Sequence, residues 1–90
     1  MATYLIGFEG RDGNRPYEQV REAMDARGGT RILETLWGLE SDDDAATLRD
    51  WLHSLMSDED AIFVIAVKPG CHWATRHVKI SVNDWLKTRV

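Results

Sequence analysis

The chain opens with an apolar run from Tyr4 to Phe8 that ends abruptly in the carboxylate of Glu9. Near-continuous apolarity predicts a strand over residues 3–9 that lies in the middle of a sheet and is buried on both faces. A polar turn over residues 10–14 follows, and it leaves Glu9 at the C-terminal edge of that strand. Several small α+β folds build a metal or nucleic-acid site in this way, so the start of the chain indicates both a fold and a site.

The rest of the chain alternates between helical and strand patterns. Pro16 suits the first turn of a helix, and Gly28 and Gly29 supply its stop. An apolar stripe of four residues, Leu48, Trp51, Leu52 and Leu55, predicts a second helix. The predicted elements are a strand over 3–9, a helix over 16–27, two short strands within 30–40 joined near Glu34 and Thr35, a helix over 45–56, a central strand over 61–67, and a fifth strand over 77–82 followed by a short helical end.

The order β-α-β-β-α-β is characteristic of ferredoxin-like α+β domains, with a four-stranded antiparallel sheet and both helices on one face. Such a domain leaves the other face of its sheet bare. Because the predicted strands are rich in apolar residues, we expect that face to bind a second copy, which makes the protein a homodimer.

The charge of the chain is divided unequally. Residues 1–67 carry fourteen acidic and six basic side chains, a net −8, whereas residues 68–90 carry a net +4, out of −4 for all 90 residues. The acidic body argues against broad, charge-driven binding of nucleic acid. We expect one domain over 1–90, with the basic segment 68–90 as a dimer-packing tail that docks on an acidic surface of the partner.

Other features of the sequence bear on location. Cys71 is the single cysteine, so the fold does not depend on an internal disulfide. The sequence contains no apolar stretch of transmembrane length and no basic leader followed by an apolar run. These observations predict a cytoplasmic protein without a membrane partner.

Short motifs along nearly the whole chain resemble one known family. The opening residues 3–9 (TYLIGFE), the strand residues 35–39 (TLWGL), residues 57–60 (SDED) and residues 84–87 (DWLK) are similar to the small CRISPR-adaptation endonuclease superfamily. The similarity is greatest to its stand-alone SinR-like branch. The resemblance implies a ferredoxin-like protomer and a homodimer in which the C-terminal segment packs across to the partner.

The family also implies an activity. In active relatives, one aspartate from each protomer, at the end of the first strand, binds a divalent metal that supports phosphodiester hydrolysis. The matching position here is Glu9, whose side chain is one methylene longer, and Gly10 replaces a residue that is usually apolar. Because that methylene moves the carboxylate by more than a catalytic site normally tolerates, the resemblance favours the fold over the activity.

The turn after the first strand holds the candidate site. Glu9 and Asp12 offer hard oxygen ligands for Mg²⁺, with Glu9 as the catalytic carboxylate, or else are solvated turn residues. Arg11 and Arg15 flank them and either bind phosphate beside the metal or neutralise the two carboxylates in an ion-pair network. The second interpretation is slightly better, because Arg11 lies only two residues from Glu9.

Other polar clusters have simpler interpretations. The run Asp42 to Asp44 is best explained by capping of the second helix. Cys71, His72 and His77 suggest zinc or a Cys/His nucleophilic pair, but structural zinc sites draw on a second close-spaced ligand pair that the sequence lacks. An exposed tail segment is therefore the better interpretation, and His53 is expected on the surface of its helix.

Apolar side chains are the candidates for the dimer interface. Four tryptophans in 90 residues bring a large apolar area, and we expect Phe8, Trp37, Trp73 and Trp85 at the interface. Stacking of nucleic-acid bases on Trp73 and Trp85 is the alternative, but no dense basic groove accompanies them.

Three functions remain open on the sequence. The first is an interaction or scaffold protein in bacterial defence or a mobile element. The second is a Mg²⁺-dependent endonuclease or endoribonuclease that uses Glu9 from both protomers, with nucleic acid as its substrate. The third is a toxin–antitoxin component or protein inhibitor that binds its partner through the acidic body.

Overall fold

Strands and helices follow one another in the predicted order. The computed structural model describes residues 1–10 and 17–90. Within these residues the elements are β1 (Ala2–Glu9), α1 (Glu18–Ala26), β2 (Thr30–Leu33), β3 (Leu36–Ser41), α2 (Ala45–His53), β4 (Ala61–Val67) and α3 (Ile80–Arg89). The order β-α-β-β-α-β is therefore confirmed, with one further helix at the C-terminal end.

The strands form one antiparallel sheet in the order β2-β3-β1-β4. This is the ferredoxin-like arrangement, and the α+β fold class predicted from the sequence is confirmed. Every second side chain of β1 points to the face that carries α1 and α2, because side chains alternate along a strand. These residues, Tyr4, Ile6 and Phe8, form one core with Trp37 and Leu39 of β3, Val20 and Met24 of α1, and Leu48 and Leu52 of α2.

The ends of both core helices follow local rules. Helix α1 stops because Gly28 adopts φ +77°, which glycine reaches without strain. The amides of Gly28 and Gly29 then donate to the carbonyls of Asp25 and Met24, a Schellman motif. At the start of α2, the carboxylate of Asp44 accepts a hydrogen bond of 2.8 Å from the amide of Thr47, as the capping interpretation predicts.

The third helix corrects the prediction of a bare sheet face and of a fifth strand over 77–82. Helix α3 begins at Ile80, and residues 71–79 contain no strand. Val82 and Leu86 lie four positions apart on one side of α3 and are 2% and 5% exposed. Burying that pair favours a helix over the alternating strand pattern. The helix lies on the sheet of its own chain, on the face opposite α1 and α2, with the ring of Trp85 over Gly38 of β3.

Strand β4 also differs from its predicted place. It pairs with β1, as expected, over the whole run from Ala61 opposite Glu9 to Val67 opposite Thr3. However, it is the edge strand of the described sheet and not a central one. The opposite edge is β2, a short strand with an irregular register between Arg31 and Leu33, where two residues of β2 face one of β3.

Candidate functional site

The predicted metal site begins where the sequence placed it, at the end of β1. Glu9 is exposed and lies opposite Ala61 in the register of β1 with β4. The end of the strand is held by Tyr17, whose hydroxyl accepts a hydrogen bond of 2.8 Å from the amide of Gly10. The Tyr17 ring also packs edge-on against Phe8, with the ring centroids 5.1 Å apart.

The remaining residues of the predicted site follow Glu9 in the sequence. Asp12, the second proposed metal ligand, and Arg11 and Arg15, the proposed phosphate-binding residues, lie outside the described residues. Within residues 1–10 and 17–90, no three His, Cys, Asp or Glu side chains come together as a group that could hold a metal ion. The metal site at Glu9 therefore stays a prediction.

The run Asp42 to Asp44 has structural partners. Asp43 pairs with Arg27, with 3.2 Å between the guanidinium and the carboxylate, and Arg27 in turn lies 4.0 Å from the ring centroid of Trp51. The hydrogen bonds that Asp44 accepts from Thr47 hold the pKa of its carboxyl below the ordinary value of 3.8. These contacts tie the entry of α2 to the end of α1.

The histidine and cysteine candidates are surface residues. Cys71, His72 and His77 are exposed in the segment before α3. His53 is exposed near the end of α2, where its Nε2 atom lies 2.7 Å from the carboxylate of Asp58. His77 adopts φ +63° and lines a groove of about 270 Å³ with Arg31 and Lys79, between β2 and the start of α3.

Two of the four predicted interface residues lie in the interior of their own chain. Phe8 and Trp37 are 4% and 2% exposed and belong to the core between the sheet and helices α1 and α2. The expectation that they contact a partner is therefore corrected, because their apolar area is already buried within the protomer. Trp73 is exposed, and Trp85 is half-buried against β3.

The structure identifies which residues form an apolar surface on the sheet face that the sequence analysis expects to bind a second copy. Phe63 and Ile65 of β4 are 64% and 45% exposed. Both lie on the same face of the sheet as Leu5, since Ile65 is directly opposite Leu5 in the register and Phe63 is two residues away. We call Leu5, Phe63 and Ile65 the open strip; it is the part of this face beside the region that Trp85 covers. The sequence did not single out Phe63 and Ile65, because a continuous apolar run predicts a central strand that is buried on both faces.

A groove runs along the outer side of β4 on the opposite face of the sheet. Its lining combines small side chains of α2 with the strand edge, and its volume is about 270 Å³. The lining residues are Ala45, Ala46 and Arg49 of α2, and Ile62, Phe63 and Val64 of β4. A neighbouring groove continues past Arg49 to His53, Asp58 and Asp60. The edge of β4 is thus accessible from both faces of the sheet.

No described helix is both long and apolar enough to cross a membrane. In comparisons with known proteins, no family model matches the chain, and neither a curated protein nor a solved structure matches it.

Proposed function

We propose that this chain is an interaction protein that acts as a homodimer, with a scaffold role in bacterial defence or a mobile element. The observation that carries the proposal is the open strip, in which Phe63 and Ile65 are 64% and 45% exposed beside Leu5. Adjacent, exposed, large apolar side chains are typical of surfaces that bind another protein. The resemblance to the SinR-like branch of CRISPR-adaptation proteins supports the biological setting.

The size of the chain supports association as well. A protomer of 10.3 kDa buries a smaller share of its surface than a larger domain does, so its own core leaves little surplus stability. Covering Phe63 and Ile65 in a dimer removes further apolar area from water. Association therefore stabilises the fold and provides the function at the same time.

Sedimentation of the wild-type protein over a concentration series tests the homodimer. We expect a mass of twice 10.3 kDa at high concentration. Phe63→Glu should raise the dissociation constant about tenfold or more, because it places a charge in an apolar contact. Ile80→Glu is the matched control, because Ile80 is 78% exposed but lies at the start of α3. A wild-type protein that stays at 10.3 kDa throughout contradicts the homodimer.

A second candidate is a Mg²⁺-dependent phosphodiester hydrolase. The position of Glu9 favours it, because an exposed carboxylate at the end of β1 matches the place where the resemblance expects the metal. In this case Glu9 of each protomer would hold Mg²⁺ and the metal would activate water, with Asp12 as a further ligand and Arg11 and Arg15 on the phosphate.

Cleavage assays separate the two candidates. Labelled single-stranded RNA and duplex DNA are incubated with Mg²⁺ or a chelator, with wild-type protein, Glu9→Ala and Glu59→Ala. Glu59 is a matched control because it is an exposed carboxylate in the turn before β4. Metal-dependent cleavage that Glu9→Ala abolishes and Glu59→Ala retains would establish the hydrolase. No cleavage by a wild-type protein that forms dimers supports the scaffold.

A further inference from the structure

The outer edge of β4 is the least protected part of the described sheet. The strand runs for seven residues, AIFVIAV, without a charged residue or a proline, and its pairing with β1 is continuous from Ala61 to Val67. Natural edge strands usually carry such features, because their outward amide and carbonyl groups otherwise recruit another strand. The β4 edge instead combines the outward backbone groups of an edge strand with apolar side chains on both faces.

The sequence of β4 is compatible with pairing to itself. If two copies pair antiparallel about Val64, then Val64 lies opposite the partner's Val64 and Phe63 lies opposite the partner's Ile65. Ile62 then faces the partner's Ala66, so every cross-strand pair is apolar. Phe63 and Ile65, the exposed residues of the strip, gain neighbours on one face, and Ile62 and Val64 gain neighbours on the other.

The charges that flank β4 fit the same register. Asp60 precedes the strand and Lys68 follows it. In the antiparallel pair each Asp60, whose carboxylate also accepts a hydrogen bond of 2.9 Å from the amide of Ser57, lies opposite the partner's Lys68. Opposite charges are thus neighbours at both ends of the joined strands. Parallel pairing would instead place each of these charges beside its own kind, so the charge pattern selects the antiparallel arrangement.

The neighbouring helix leaves room for the incoming strand. The groove beside β4 has a volume of about 270 Å³ and is bordered by Ala45 and Ala46 of α2. These methyl side chains leave space for side chains from a second copy, such as its Val64, to enter between α2 and the edge. A bulky residue at either position would close the groove.

We propose that two copies of this chain join through their β4 edges in antiparallel register about Val64, forming one continuous sheet with four strands from each copy. This inference depends on the proposed homodimer and specifies its contact.

The proposed contact also has a consequence for the second candidate function, the Mg²⁺-dependent hydrolase. Glu9 lies opposite Ala61 in the pairing of β1 with β4. In the proposed dimer, Ala61 and the partner's Ala61 lie at opposite ends of the paired strands, about 20 Å apart along them. The two Glu9 carboxylates then cannot share one metal ion.

Disulfide trapping tests the register. In a Cys71→Ser background, Val64→Cys should cross-link to itself under mild oxidation, because directly opposed residues lie within about 6 Å between Cα atoms. Phe63→Cys should cross-link poorly, because two copies of position 63 are offset by two residues and lie about 8 Å apart. Leu33→Cys, exposed on the other edge strand, controls for random collision.

The pattern of cross-links distinguishes the possible outcomes. Cross-linking at position 64 well above positions 63 and 33 supports edge pairing. A dimer that cross-links mainly at position 63 overturns this inference and retains the homodimer, since it indicates face-to-face packing of the open strip. A protein that is monomeric at every concentration overturns both the homodimer and the pairing of two β4 edges. The β4 edge would then be available to a strand of a different protein.

A charge reversal provides a second, independent test. Lys68→Glu should raise the dissociation constant of the dimer about tenfold, because it opposes the partner's Asp60 with a like charge at two symmetric positions. Lys87→Glu makes the same change in net charge on an exposed position of α3 and should leave dissociation unchanged. Equal effects of the two variants would overturn the proposed register.

Discussion

At the scale of single residues, the contact between Gly38 and Trp85 has the strictest steric requirement in the described structure. The ring of Trp85 lies so close to Gly38 that a Cβ atom there would be 2.8 Å from Cζ2 and closer still to two other ring atoms. The adjacent Arg89 guanidinium lies 5.2 Å from the same ring and pairs with Glu40. The absence of one side chain in β3 therefore allows α3 to dock.

We expect Gly38→Ala to destabilise the protein by about 1–3 kcal/mol, because the tryptophan ring must leave its position. Urea unfolding followed by circular dichroism measures this loss. Gly7→Ala is the matched control, since a Cβ atom on Gly7 of β1 meets its nearest neighbours at an ordinary 3.9 Å. If the steric explanation is correct, Gly38→Ala should be much less harmful in a Trp85→Ala background. Equal losses in both backgrounds would contradict it.

The cap of α2 makes a prediction about pH. Asp44→Ala should lower stability at neutral pH, because the amide of Thr47 loses its acceptor. The pKa of Asp44 is depressed below 3.8 in the folded state, so its stabilisation is fully present above that value and is lost as pH falls through the folded pKa. The difference in melting temperature between wild type and Asp44→Ala should therefore shrink towards about pH 2. Asp44→Asn, which keeps an acceptor, should show little of this dependence.

Asp44 and Gly38 show which single-residue features a sequence reveals and which it does not. The cap at Asp44 and the position of Glu9 at the end of β1 follow from local rules, so both were predicted correctly. Gly38 and Trp85 are far apart in the chain, and no local pattern indicates that one is the docking site of the other. Contacts between distant segments depend on the completed fold, which a single sequence specifies only indirectly.

At the scale of secondary structure, the predictions succeeded where the pattern repeated over several residues. Strand β4 was predicted with its observed bounds, Ala61–Val67, because all seven of its residues are apolar. Its place at the edge was not predicted, because an apolar run is also typical of a central strand. Helix α3 was in part mistaken for a strand, because residues 77–82 alternate in polarity before the helical spacing of Val82 and Leu86 becomes visible.

Docking of α3 should contribute substantially to stability. Leu86→Ala is expected to lower the free energy of unfolding by about 2–5 kcal/mol, the range for a buried leucine, and Leu86 is 5% exposed. Chemical denaturation measures the change. Lys87→Ala, on the exposed side of the same helix, should change stability by less than about 0.5 kcal/mol. If Leu86→Ala proved equally mild, α3 would not be part of the folded core.

At the scale of the whole molecule, the two faces of the sheet differ in how they are covered. Helices α1 and α2 bury one face, whereas α3 covers only part of the other and leaves the open strip exposed. The sequence predicted the first face correctly and indicated that the second needs a partner. It did not indicate that the chain supplies part of that cover itself, because the helical pattern of α3 is short and poorly segregated.

The homodimer predicts a melting temperature that depends on protein concentration. Because unfolding then separates two chains, each tenfold rise in concentration should raise the melting temperature by about 4 °C for a protein of this size. Differential scanning calorimetry over a dilution series measures the slope. Phe63→Glu should flatten it, and Ile80→Glu should retain it. A flat slope for the wild type would show that folding does not require association in this range.

The irregular pairing of β2 determines how far such an assembly can extend. A sheet with two accessible edges would allow a third and a fourth molecule to add, and the product would be a fibre. On β2, two residues of the short strand face one of β3 between Arg31 and Leu33. Such a bulge increases the local twist of the edge strand, so its backbone groups are poorly aligned for pairing with another strand. If two copies join through β4 as proposed, growth by strand addition should end after two molecules, and concentrated solutions should contain dimers with no polymer.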